Sequence, residues 1–209
     1  MAFLARVCAV CIFFAGAVQA QQYFPPGVFD EKARGYSSKV DDWYSKHLKA
    51  LGEPSLWELS QKDRTAEVYR FLWLRTFHHP VSVRIVIFAK AGPFGRARLL
   101  AKVATGAAGY KFGHVNRSRS TNLMDGSVRK LLERIESVKF WTQPAYTPVP
   151  ADVVQLDGAE WIIEGIKGGQ YHVIDRWSPE PVAGDAAYIL GTMMAFDLAR
   201  LRIKKSEIY

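Results

Sequence analysis

Three consecutive segments decide the fold: EVYRFLWLRTF (67–77), VSVRIVIFAK (81–90) and FGRARLLAKVAT (94–105). The first is apolar and aromatic on both faces, as a strand covered on two sides would be. It ends at His78-His79-Pro80. The second and third alternate in polarity and are separated by Ala91-Gly92-Pro93, so they read as antiparallel neighbours. Pairing Ala89 with Ala97, Ile87 with Leu99, Ile85 with Ala101 and Val83 with Val103 makes one face wholly apolar. A slip by one residue would mix the faces. GYKFGHV (109–115) is the candidate for a fourth strand.

Helical signals flank this block. On the N-terminal side, Val40, Trp43, Tyr44, Leu48 and Leu51 fall on one helical face, Ser38 and Asp41 have capping-box spacing, and Gly52 and Pro54 stop the helix. On the C-terminal side, Val128, Leu131, Leu132 and Ile135 form the stripe of a second helix, with Asp125 as its N-cap. The proline-rich run 144–153 reads as a surface linker. EWIIEGI (160–166) and QYHVIDRW (170–177) then form a hairpin about Lys167-Gly168-Gly169. A last helix runs from near Asp185 to about Leu201, and the tail IKKSEIY reads as frayed. The order α-β-β-β-(β)-α-β-β-α predicts an α+β fold, with an antiparallel sheet of five to six strands and helices on one face.

Residues 1–20, MAFLARVCAVCIFFAGAVQA, have the layout of a cleaved secretory signal peptide: Arg6, an apolar run from Val7 to Val18, and Val18-Gln19-Ala20 at the cleavage site. The run is shorter than the roughly 20 residues of a membrane span. The expected product is periplasmic or secreted, with an irregular arm at 21–36 and one domain at 37–209. Cys8 and Cys11 leave with the leader, so disulfides, zinc-thiolate sites and catalytic cysteines are excluded from the mature chain. No cofactor motif stands out. His47, His78, His79 and His114 lack chelating spacing, because adjacent residues on a strand point to opposite faces. No metal is expected.

Two constellations carry the functional expectations. The pairing above gathers Arg84, Lys90, Arg96, Arg98 and Lys102 on one sheet face, with Lys90 opposite Arg96, Arg84 opposite Lys102 and Arg98 opposite Phe88. Like charges directly opposite are destabilising, so an anion, solvent screening or a nearby acidic segment must compensate. The formal charge of +8 also favours an anionic envelope component or an acidic protein as partner over a neutral one. Lys111, Arg117 and Arg119 extend this patch if the chain returns alongside. The second constellation is the hairpin. A three-residue loop pairs Glu164 with His172 and Glu160 with Arg176, which suits acid–base chemistry in a small envelope hydrolase. The leading expectation is a non-catalytic binding domain acting through the basic face, with the hydrolase as the alternative.

Overall fold

The computed structural model describes residues 21–30, 40–88, 96–148, 157–181 and 184–209. The leader, Ser38 and Lys90 lie outside the described residues. Helices α1 (Val40–Ala50) and α2 (Leu56–Lys62) precede strands β1 (Glu67–Arg75), β2 (Val81–Phe88), β3 (Arg96–Ala104) and β4 (Val115–Leu123). Helix α3 (Asp125–Ser137), strands β5 (Ala159–Lys167) and β6 (Gln170–Trp177), helix α4 (Ala186–Thr192) and a π-helical segment (Met193–Leu198) complete the order. The six strands form one antiparallel sheet in the order β4-β3-β2-β1-β5-β6. The fold is α+β, and β1 is central, as its two-sided apolar character requires.

Helices cover both faces, where one was expected. Tyr69, Phe71, Trp73 and Trp161 pack with Leu131, Ile135, Leu190 and Met194 from α3, α4 and the π segment. On the opposite face Leu72, Leu74, Ile162 and Val173 pack with Tyr44, Leu48 and Leu51 from α1 and its exit, and with Tyr23, Phe24 and Phe29 of the N-terminal arm. The reason is visible in β1 and β5, which are apolar at nearly every position, so leaving one face wet would expose a continuous hydrophobic surface. The second covering layer stops short of β4, whose residues are exposed except for Thr121 and Leu123.

Several local expectations shift. Gly52 and Pro54 end α1, but the chain re-enters a helix at once, because the Ser55 hydroxyl accepts the Glu58 N–H. The fourth strand is 115–123, and 109–114 is turn and irregular chain. Asp125 opens the first turn of α3 instead of capping it, where its charge still favours the helix N-terminus. Asp185 does cap α4, accepting the Tyr188 N–H at 2.9 Å. The basic tail is docked, not frayed: the Trp161 indole donates to Tyr209 O at 2.9 Å, and Ile203, Ile208 and Tyr209 pack on the core.

Registers differ in two instructive ways. β2 and β3 pair Val83 with Ala101, Ile85 with Leu99 and Ile87 with Ala97, two residues away from the expected pairing. A two-residue slip keeps every side chain on its face, so apolar alternation cannot detect it. The β5–β6 hairpin closes through a two-residue Gly168-Gly169 turn with φ of 62° and 81°. Two successive positive φ values are the type I′ geometry that matches strand twist, and glycine adopts them without strain. That slip is one residue, and it exchanges faces.

His47 adds a pH dependence. It is fully buried on α1, bonds Ala108 O through Nε2 at 3.0 Å, and packs against Trp43 and Phe112. Burial lowers its pKa from 6.5 to about 4. Above the higher value both folded and unfolded chains hold it neutral. As pH falls, the unfolded chain takes the proton first, so stability drops between about pH 6.5 and about pH 4. The shift corresponds to roughly 3 kcal/mol. A His47→Gln protein should lose much less stability over this range in urea unfolding. The loss is reduced and not abolished, because burial also lowers the pKa of His78 and His172. An unchanged acid loss would contradict the assignment.

Candidate functional site

The basic face was expected to hold five cations in a row. Two of them are committed to the interior. Glu53, buried just past α1, takes Arg84 Nε at 2.7 Å on Oε2 and Lys102 Nζ at 2.8 Å on Oε1. Beside it Arg70, fully buried in β1, donates from Nε at 2.7 Å and Nη2 at 2.5 Å to Glu164 Oε2, and from Nη1 at 2.6 Å to Pro54 O. The Tyr171 hydroxyl donates to Glu164 Oε1 at 2.9 Å. Arg84 and Lys102 do not oppose one another: Arg84 faces Leu100 and Lys102 faces Ser82. The slip relieves the like-charge pair, and the acidic segment that compensates the face is Glu53.

Arg96 and Arg98 remain. They oppose Phe88 and Val86 and stand exposed, and their side chains form no hydrogen bond or ion pair among the described residues. Asn122, Ser120 and Ser118 of β4 continue this face opposite Arg98, Leu100 and Lys102. Phe88 and Met124 beside them are 49% and 79% exposed. Phe88, Arg96, Asn122 and Met124 share the wall of a groove of about 700 Å³, at which Asp125 is the acidic member. Exposed apolar side chains alternating with unpaired arginines give a surface that is cationic and partly hydrophobic.

Arg117 and Arg119 do not extend this patch. They pair with Val103 and Ala101, which places them on the opposite face. There they line a cleft of about 660 Å³ with Arg75, Arg200 and Arg202.

The Glu164–His172 pair does not form. In the observed register Glu164 opposes Val173 and His172 opposes Gly165, so the two side chains project from opposite faces. Glu164 is spent on Arg70 and Tyr171; burial raises its pKa, against the opposing pull of Arg70. His172 packs edge-on against Phe140 at 5.0 Å, and burial lowers its pKa. Glu160 opposes Trp177, and Arg176 opposes Trp161 while its guanidinium donates to Pro144 O at 2.9 Å.

The strand reading missed Arg70 and the carboxylate of Asp175. Asp175 is buried and accepts the Tyr44 hydroxyl at 2.9 Å. Burial raises the Tyr44 pKa well above its ordinary value, with Asp175 and Glu160 adding to the effect. A cleft of about 450 Å³ opens there between Trp43, Glu160 and Trp177. The signal for Arg70 was available: one arginine inside an otherwise apolar central strand requires a buried counter-ion.

Among the described residues, no three His, Cys, Asp or Glu side chains converge to hold a metal ion, and no helix is long and apolar enough to cross a membrane. Comparison of the chain with protein-family models and with curated proteins finds no match.

Proposed function

We propose that this chain, exported on the leader at residues 1–20, is a non-catalytic binding module. It docks on an anionic envelope component, a lipid surface, through the β2–β3–β4 end of its sheet. The observation that carries the reading is that Arg96 and Arg98, with unbonded side chains, share this end of the sheet with exposed Phe88 and Met124. Each cation near an anionic membrane contributes about 1 kcal/mol. The apolar side chains add a contribution that salt does not screen. Arg84 and Lys102, held on Glu53, support the strands that present this surface. Lys90 falls between Phe88 and Arg96 in sequence and belongs to the same proposal.

Co-sedimentation tests it. The purified protein should pellet with phosphatidylglycerol vesicles and not with phosphatidylcholine vesicles. High salt should weaken the binding, and Arg96→Glu/Arg98→Glu should lower the affinity by about thirtyfold or more. Equal sedimentation of the reversed-charge variant, or no sedimentation in low salt, would reject the reading.

A further inference from the structure

A second arginine-rich cleft lies on the other face of β2, β3 and β4, and it does not depend on the docking surface. Arg117 and Arg119 reach it from β4, and Arg200 and Arg202 reach it from the chain leaving the π segment. Charges on an edge strand are commonly explained by protection against edge-to-edge pairing. That explains Arg117 and Arg119. It does not explain two further arginines brought to the same cleft from a distant part of the chain. The side chains of these four form no hydrogen bond or ion pair among the described residues.

The floor of the cleft is unusual. Arg75 is 3% exposed, and its guanidinium lies 4.5 Å from the Trp73 ring centroid. Its protein contacts are long: Nη1 to Glu207 O at 3.3 Å and Oε2 at 3.4 Å, and Nη2 to His79 O at 3.3 Å. Its buried Nε has no partner among the described residues. A buried guanidinium with one donor orphaned and the rest at the far end of hydrogen-bonding distance is under-satisfied. Among the described residues, Glu207 is the one acidic side chain lining the cleft, against five arginines.

The backbone is also shaped here. Residues 193–198 are π-helical, and Arg200 follows with φ of 51°. π-Helical turns and left-handed non-glycine residues both cost energy and concentrate at functional sites. Together they turn the chain so that Arg200 and Arg202 face β4 across the cleft.

We propose that this cleft binds a multiply charged oxyanion of the phosphate type. Arginine suits that role because its planar fork donates two parallel hydrogen bonds to one phosphate group. A volume of about 660 Å³ lies within the range of small-molecule sites, so the group is carried on a larger body. That body is either a small soluble phosphate ester or a phosphate-bearing lipid headgroup.

Isothermal titration with inorganic pyrophosphate, in chloride of matched ionic strength, is the test. Saturable binding at one site per chain is expected. Arg119→Gln/Arg202→Gln should weaken it about tenfold or more, while Arg96→Gln/Arg98→Gln on the other face should leave it unchanged. Phosphatidic acid vesicles separate the two sources. Pyrophosphate should displace the protein from them, with Arg119 and Arg202 required, if a lipid headgroup is the natural occupant. Vesicle binding indifferent to Arg119 and Arg202, beside intact pyrophosphate binding, assigns the site to a soluble ester. No saturable binding, or equal weakening by both double variants, would overturn the proposal.

Discussion

Arg70→Ala is expected to destabilise the protein by about 3–5 kcal/mol, the cost of leaving a buried carboxylate without its cation. Arg70 and Glu164 are both fully buried. Two of the arginine's nitrogens hold Glu164 Oε2, and the third holds Pro54 O. Truncation strands Glu164 with only the Tyr171 hydroxyl and removes a third cation, 3.8 Å from Glu53 Oε2. Domains of this size are stable by about 5–15 kcal/mol, so the loss is a large share of the total. The double variant Arg70→Met/Glu164→Leu should be milder than Arg70→Ala, because it removes both charges and leaves Glu53 with Arg84 and Lys102. Urea unfolding of the three proteins decides the matter. A double variant at least as damaged as the single would mean that packing, not charge compensation, is what Arg70 supplies.

Trp161→Ala should cost a similar amount, about 3–5 kcal/mol. The ring is fully buried, with centroids 4.8 Å from Trp73, 5.1 Å from Phe71 and 5.7 Å from Tyr188. It also presses on Gly191 of α4, where a Cβ would stand 2.6 Å from the indole Cε3. Glycine is required there by close approach, since any side chain would displace a rigid ring in a packed core. The indole N–H holds Tyr209 O, and so fixes the tail that carries Glu207 into the arginine-lined cleft. Trp161→Phe keeps an aromatic body and removes this hydrogen bond. It should lose about 0.5–1.5 kcal/mol and strengthen pyrophosphate binding, because a loosened tail draws the Glu207 carboxylate away from Arg75. Unchanged binding by Trp161→Phe would show that the tail is held by its apolar packing alone.

The sequence carried the architecture because burial and periodicity are local signals. β1 reads as central since it is apolar at both phases, and the hairpin reads from Gly168-Gly169 flanked by apolar strands. What it did not carry depends on choices that periodicity leaves open. The β2–β3 pairing and its two-residue neighbour put the same residues on the same face, and they differ in where Arg84 and Lys102 sit relative to Glu53. Glu53 is far from both strands in sequence, so the compensating charge was invisible. At the hairpin, two-residue and three-residue turns through the same glycines differ by one position. That single step separated Glu164 from His172, while the β1–β5 register set Glu164 opposite Arg70.

Of the basic residues singled out from the sequence, Arg96 and Arg98 stand exposed and unbonded among the described residues, while Arg84 and Lys102 have a structural load. Arg117 and Arg119 point away because β4 alternates in phase with β3. Their pairing partners could be assigned only once the position of the fourth strand was known. The tail was misread because its lysines signal solvent, while Ile203, Ile208 and Tyr209 between and beyond them supply the packing.

The most direct test of the docking surface is a map of backbone amide chemical shifts on titration with phosphatidylglycerol-containing bicelles. Shifts concentrated at Phe88, Arg96 to Leu100 and Asn122 to Met124, and absent from α3 and the β5–β6 hairpin, are the predicted result. Shifts centred elsewhere, or none at bicelle concentrations that sediment the protein, would contradict the assignment of this end of the sheet as the binding surface.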